Sequence, residues 1–206
     1  MSDALDRELG RLPAGDHRAA DAAARRFTER ALEDGLLDLA YAHVPSPLGD
    51  LLVAGTRRGL VRLSYAEDGT EKVLERLAAS VSPRIMEAPA RLDDSRRQLE
   101  EYFAGRRRDF EMPLDWTLTR GFGRRVLQAT ARIPFGGSGT YTTIAGAAGS
   151  PRAMRATGNA LGANPMPIVV PCHRVLRHGG GLGGYTGGLH RKRFLLQLEG
   201  LLPAEL

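Results

Sequence analysis

Cysteine is almost missing from this chain: among 206 residues there is one, Cys172. An internal disulfide is therefore excluded, and so are zinc sites built from several cysteines. Aromatic residues are sparse at 6%, with Trp116 the single tryptophan. No stretch approaches the roughly 20 apolar residues of a membrane-spanning helix. The first twenty residues carry Asp3, Asp6, Glu8 and Asp16 and have no apolar segment of the kind a secretory signal needs. One or two domains in a reducing cytoplasm, with no membrane partner, is the expectation, and 42% hydrophobic content is ample for a packed core.

Acidic residues are also missing, but only from one half. Residues 1–115 hold 18 Lys and Arg against 22 Asp and Glu, a balance of −4, whereas residues 116–206 hold 11 against 2, a balance of +9. Between Asp115 and Glu199 there is no carboxylate at all. A polyanion approaching that half meets no side-chain repulsion, which makes nucleic acid the natural partner. Charge alone fits an ordinary basic surface equally well.

What is present is concentrated around the single cysteine. The run Ile168-Val169-Val170-Pro171-Cys172-His173-Arg174 reads as a short β-branched strand stopped by proline, with Cys172 presented at its end. A thiol becomes a useful nucleophile when something favours its thiolate, and His173 is placed to serve as its base. An imidazole used in this way needs an acceptor that fixes its tautomer. In the basic half the internal candidate is Glu199, a negative charge at a helix C-terminus that opposes the macrodipole and so needs a compensating partner.

Along the chain, residues 1–35 read as a helical extension, with a helix over 18–34. Strands over 37–44, 51–55 and 60–65, separated by Pro45-Ser46-Pro47-Leu48-Gly49 and by Arg57-Arg58-Gly59, form an antiparallel meander. Helices near 70–80 and 91–104 follow. Arg106-Arg107-Arg108, read as a solvated turn, leads into a short strand and a linker over 112–116. Helices over 119–132 and 141–148 precede Gly149-Ser150-Pro151, where serine as N-cap and proline at the first position start a helix over 151–161. Helix, tight turn, helix is a helix-turn-helix outline, with Arg152, Arg155 and Asn159 on one face of the second helix. The glycine run from Gly179 to Gly188, interrupted by Leu182, Tyr185 and Thr186, suits either a loop whose backbone meets a flat ligand or a flexible wing. A last helix over 188–198 alternates basic residues with a leucine face.

Four motifs in order then resemble the O6-alkylguanine-DNA alkyltransferase family, also called methylated-DNA–protein-cysteine methyltransferases. They are Asn164-Pro165-Met166-Pro167, Pro171-Cys172-His173-Arg174, Gly184-Tyr185-Thr186-Gly187-Gly188, and Leu195-Leu196 through Glu199-Gly200. Ser46-Pro47-Leu48-Gly49 and Glu101-Tyr102-Phe103-Ala104-Gly105 extend the resemblance more weakly. It implies an α+β fold: a ribonuclease-H-like α/β domain with an antiparallel sheet over 36–115 and a mostly helical winged helix-turn-helix domain over 116–206. It also implies irreversible, single-turnover transfer of the alkyl group from O6-alkylguanine in double-stranded DNA to Cys172, with no cofactor or metal, by a monomer. Whether O4-alkylthymine is accepted and whether chains assemble cooperatively on DNA stay open.

In this resemblance His173, through a water and oriented by Glu199, takes the thiol proton. Asn164 ties the active-site turn to the helix-turn-helix, and Tyr141 donates to the departing guanine and crowds its phosphate. Arg155 fills the base stack, and Arg152, Asn159 and Arg174 join Tyr141 and Arg155 on the DNA. The ring of Tyr185, backbone groups of Val175 and Thr186, and Leu161 line the base pocket. Gly123-Arg124-Arg125 departs from many relatives, which place a glutamine and a tryptophan there. A non-catalytic lesion binder and a papain-like cysteine hydrolase are the competing readings. Cys172 argues against the first, and the adjacency of cysteine and histidine against the second.

Overall fold

The computed structural model describes residues 35–203, together with Ala22, Arg26, Arg30 and Ala31. The chain divides into two units, Met1–Asp38 and Leu39–Leu206. In the first, the four isolated residues are helical, and the N–H groups of Leu36 and Leu37 both reach the carbonyl of Ala31. The rest of the expected N-terminal helices lies outside the described residues. Among the described residues no helix is long and apolar enough to cross a membrane.

The second unit opens with the meander: β1 (Leu39–Val44), β2 (Leu51–Thr56) and β3 (Gly59–Tyr65) pair antiparallel. The sheet is mixed, however, because β4 (Ile85–Glu87) adds to the free edge of β1 in parallel, giving the order β3-β2-β1-β4. β2 is apolar without alternation, which is what a strand covered on both faces requires. On one face Leu39, Leu52, Ala54 and Val61 meet Val73 and Leu77 of α1 (Thr70–Ser80). On the other, Leu51, Val53, Leu60, Leu63 and Tyr65 meet Leu99 and Tyr102 of α2 (Asp93–Phe103).

That second core continues without a break into the basic half, taking in Val126, Ile144, Leu161, Met166, Val170, Cys172 and Leu195. Residues 112–116 are pinned rather than free: Leu60 and Leu114 form a bridge, with Leu60 N–H donating to Pro113 O at 2.9 Å and Asp115 N–H to Leu60 O at 2.8 Å. A side chain at Gly59 would place its Cβ 2.1 Å from Pro113 O, so this crossing demands glycine. The short strand expected after the arginine triplet does not form. There the Glu111 N–H is taken by the Gln98 side chain at 2.8 Å, and Arg107 turns back onto Glu101 at 2.8 Å.

The basic half contains α3 (Gly121–Thr130), α4 (Tyr141–Ala147), α5 (Met154–Gly162) and α6 (Leu189–Leu198). A two-stranded parallel pair, β5 (Gly139–Thr140) with β6 (Val175–Leu176), supports them. α4 starts on a reciprocal cap: Thr140 Oγ1 accepts from Thr143 N–H at 3.1 Å while Thr143 Oγ1 accepts from Thr140 N–H at 2.8 Å. α5 starts three residues later than Ser150-Pro151 suggests. Ser150 to Ala153 close a turn of their own, and Ala153 flanks the helix without a side-chain cap. At the departure in α3, Arg124 bonds to Trp116 O at 2.8 Å and Arg125 to Ala148 O at 3.0 Å, so arginines clamp the helix to its neighbours.

The strand expected over Ile168–Val170 is instead a turn. Pro165, Pro167 and Pro171 remove ladder donors, and Asn164 supplies the missing partners. Its Oδ1 accepts from Met166 N–H at 3.0 Å and its Nδ2 donates to Val170 O at 2.8 Å. Ile168 takes φ 75°, the one positive φ at a non-glycine residue among those described, and its side chain is fully buried. Cys172 thus leaves a tight turn rather than a strand end.

Candidate active site

Pro171 hands the chain to one 3-10 turn, Cys172–Arg174, and all three side chains of that turn are buried. Cys172 borders a cavity of about 270 Å³ whose other walls are Tyr141, Gly158, Leu161, Gly162, Gly184, Tyr185 and Thr186. Burial pushes the thiol pKa up, opposed by a hydrogen bond from Asn164 Nδ2 to Sγ at 3.2 Å and by the charge of Lys192. At neutral pH this cysteine is a protonated thiol and needs a base to react.

A candidate base stands next to it in sequence. His173 is fully buried, and its Nε2 lies 2.9 Å from Glu199 Oε1. Burial would raise the pKa of Glu199, but hydrogen bonds from His173, Arg174 and Tyr102 outweigh it and hold the carboxylate at about 2. An ionised carboxylate only accepts, so His173 Nε2 carries the hydrogen and Nδ1 keeps its lone pair. Nδ1 is buried and has no protein partner among the described residues. Burial also lowers the pKa of His173 despite the pull of Glu199, so the imidazole is neutral and able to accept a proton.

The rest of the carboxylate shell fills the remaining lone pairs. Tyr102 OH donates to Oε1 at 2.7 Å, and Arg174 grips both oxygens, Nε to Oε2 at 2.8 Å and a terminal nitrogen to Oε1 at 2.9 Å. The other terminal nitrogen of Arg174 donates to Ile133 O at 2.5 Å. Arg174 therefore corrects one expectation. It is not a DNA contact but a buried counter-ion, because the charge it neutralises lies inside.

The other sequence candidates fall into two groups. Arg155 and Asn159 are exposed one turn apart on α5, whereas Arg152, also exposed, belongs to the turn before the helix and not to its face. Tyr141, Leu161, Tyr185 and Thr186 meet around the cavity with Cys172, and Thr186 Oγ1 ties the glycine loop to the end of α5 by donating to Gly162 O at 2.8 Å. Val175 does not line that cavity. Its side chain is 1% exposed, and its carbonyl accepts from Lys192 Nζ at 2.6 Å. Among the described residues no group of His, Cys, Asp and Glu side chains could hold a metal ion.

The 6-O-methylguanine DNA methyltransferase DNA binding domain matches residues 121–201, and the ribonuclease-like domain of the same name matches residues 39–116. The chain belongs to the 6-O-methylguanine DNA methyltransferase family. It is 38% identical to the constitutive methylated-DNA–protein-cysteine methyltransferase of Bacillus subtilis, over 77% of this chain and 94% of that protein. It is 40% identical to the Methanosarcina acetivorans protein of the same description, over 78% and 97%. The crystal structure of Mycobacterium tuberculosis O6-methylguanine methyltransferase superposes with a TM-score of 0.66 at 38% identity, covering 81% of this chain and 96% of that one. The same organism's OGT in complex with DNA gives 0.66 at 38%, covering 78% and 92%.

In this member of the methyltransferase family, three residues of the site escaped the sequence reading. Lys192 is fully buried, although it stands in a basic run; its spacing of three and four from Leu195 and Leu196 places it on the core face and was the available signal. Its pKa is lowered by burial to about 8. Tyr102 and Tyr65 come from the ribonuclease-like segment, about a hundred residues away in sequence, and no local pattern announces such contacts.

A buried neutral histidine makes stability pH-dependent. His173 takes up a proton only on unfolding, so its contribution is complete above its ordinary value of 6.5 and declines as the pH falls below that. Glu199, whose ordinary value is 4.5, adds a second loss as the pH falls toward about 2. Thermal melts from pH 8 to 4 should show Tm falling from about pH 6.5 downward, and His173→Gln should flatten this first decline.

Proposed function

We propose that this chain repairs DNA by transferring the alkyl group from O6 of guanine to Sγ of Cys172, once per molecule. The observation that carries this reading is a buried thiol, beside a neutral histidine with a free Nδ1 lone pair, at the wall of a cavity framed by α5 and the glycine loop. The alkyl carbon is the electrophile. His173 Nδ1 accepts the thiol proton through a bridging water, and Glu199 stabilises the imidazolium that forms. The S–C bond forms as the C–O6 bond breaks, the departing guanine takes a proton from the Tyr141 hydroxyl, and the phenolate is reprotonated through water by the proton held on His173, so that the thiol proton ends on guanine. The product is a thioether. Nothing in the reading cleaves it, so the chain is consumed.

A base inside a duplex cannot reach a buried thiol, so the target nucleotide must leave the stack. Arg155, exposed in the first turn of α5, is the proposed occupant of the gap, with a planar cation that stacks while staying near phosphates. Asn159 adds contacts from the same helix face and Arg152 from the turn before it, and Asn164 couples the Cys172 turn to the end of α5. The absence of carboxylates from residues 116–198 leaves this surface free of repulsion toward DNA. One chain carries every group the proposed reaction uses, which is consistent with action as a monomer.

Intact mass after incubation with DNA containing O6-methylguanine tests the reading directly. One methyl per chain, mapped to Cys172, is expected. Several repaired guanines per chain would indicate a hydrolase, and an unchanged mass would indicate a lesion binder. Arg155→Ala should slow repair of duplex DNA about tenfold or more, since flipping costs a few kcal/mol. Reaction with free O6-benzylguanine should stay near the wild-type rate, and equal losses on both substrates would assign Arg155 to the fold instead.

A further inference from the structure

Tyr65 closes β3 in the ribonuclease-like segment, yet it touches a wall residue of the reactive cavity. Its hydroxyl lies 2.7 Å from the hydroxyl of Tyr185, and the residue is only 7% exposed. Two further contacts hold the same place. The Arg191 guanidinium stands 4.3 Å above the Tyr65 ring, and Arg191 also bonds to Gly187 O at 2.9 Å and to Glu67 at 2.5 Å. Gly187 is wedged between the two phenols: a Cβ there would fall 2.5 Å from Tyr65 Cε2 and 2.8 Å from Tyr185 Cε1.

Tyr185 borders the 270 Å³ cavity beside Cys172 and an adjoining space of about 420 Å³, which shares Cys172 and Thr186 with the first and adds Arg62, Tyr65 and Arg191. The Tyr185 ring rests on Gly187 but borders open space elsewhere, so packing restrains it from one side only. A hydrogen bond from a buried strand end supplies the further restraint.

We propose that Tyr65 is a positioning residue for alkyl transfer: its hydroxyl holds the Tyr185 ring at the angle that sets the width of the base cavity beside Cys172. This rests on the alkyl-transfer reading. The ribonuclease-like segment thereby acts on substrate binding and not only on stability. Because the ring grips the base before and during reaction alike, losing the tether weakens binding more than it slows the chemical step.

The test is a double-mutant cycle of Tyr65→Phe and Tyr185→Phe in the full chain, read by single-turnover kinetics with free O6-benzylguanine. Both substitutions keep the rings, and Tyr65→Phe keeps the stacking surface for Arg191. One net hydrogen bond corresponds to roughly a three- to tenfold effect. Tyr65→Phe should therefore raise the half-saturating concentration about three- to tenfold, leave the limiting rate within about twofold, and have little further effect in the Tyr185→Phe background. The proposal is overturned by a wild-type half-saturating concentration in Tyr65→Phe. It is equally overturned by multiplicative effects in the double variant, or by a drop in Tm and limiting rate with half-saturation unchanged. Uptake of one benzyl group per chain in every variant keeps the transfer reading intact whichever way the cycle falls, whereas a wild-type chain that takes up none removes both.

Discussion

A carboxylate buried away from water must be fully satisfied or it unfolds the structure around it, and Glu199 is this molecule's case. The side chains of Glu199 and His173 are both 0% exposed. Desolvating such a charge costs several kcal/mol, and four hydrogen bonds from three residues offset it. The donors come from both matched segments: Tyr102 from α2, His173 and Arg174 from the turn after Pro171. The interaction that joins the two halves of the core is thus also the one that sets the tautomer of the base. Neither role can be lost without the other being affected.

The thiol follows the opposite logic. Cys172 belongs to the apolar core and is kept neutral by burial, with Asn164 and Lys192 pulling the other way. A thiol kept neutral in this way is a poor nucleophile until its proton is removed. Asn164 serves this twice, donating to Sγ and supplying the backbone partners that replace a ladder over residues 166–170. Lys192, held on the carbonyls of Val175 and Gly184, places a cation near the sulfur without offering a competing proton acceptor.

Much of this was legible in the sequence, and the failures have physical causes. The meander was readable because turn residues and apolar runs alternate there, and the place of Cys172, now seen on a cavity wall, because one Cys precedes one His after a proline. Glu199 could be singled out from the emptiness around it. Ile168-Val169-Val170 was misread because β-branched propensity favours a strand only where partners exist to form a ladder, and here three prolines and an asparagine side chain remove that option. Arg174 is expected on the DNA only by resemblance, whereas its partner in the structure lies 25 residues on and is buried, which no local pattern announces. The start of α5 was placed early because Ser-Pro is as good a turn as it is a cap. Tyr65 and Tyr102 depend on tertiary pairing alone.

The central claim is that Glu199, acting through His173, makes the buried thiol reactive. Single-turnover methyl transfer by Glu199→Gln, with rates counted per folded molecule and DNA affinity measured alongside, tests it most directly. Glutamine keeps the size and can still accept from His173, but it removes the charge that stabilises the imidazolium. The account predicts a rate about a hundredfold below wild type at neutral pH, with DNA binding retained. A wild-type rate across neutral pH would contradict it, leaving Glu199 a purely structural counter-ion and the thiolate to be favoured by Asn164 and Lys192 alone.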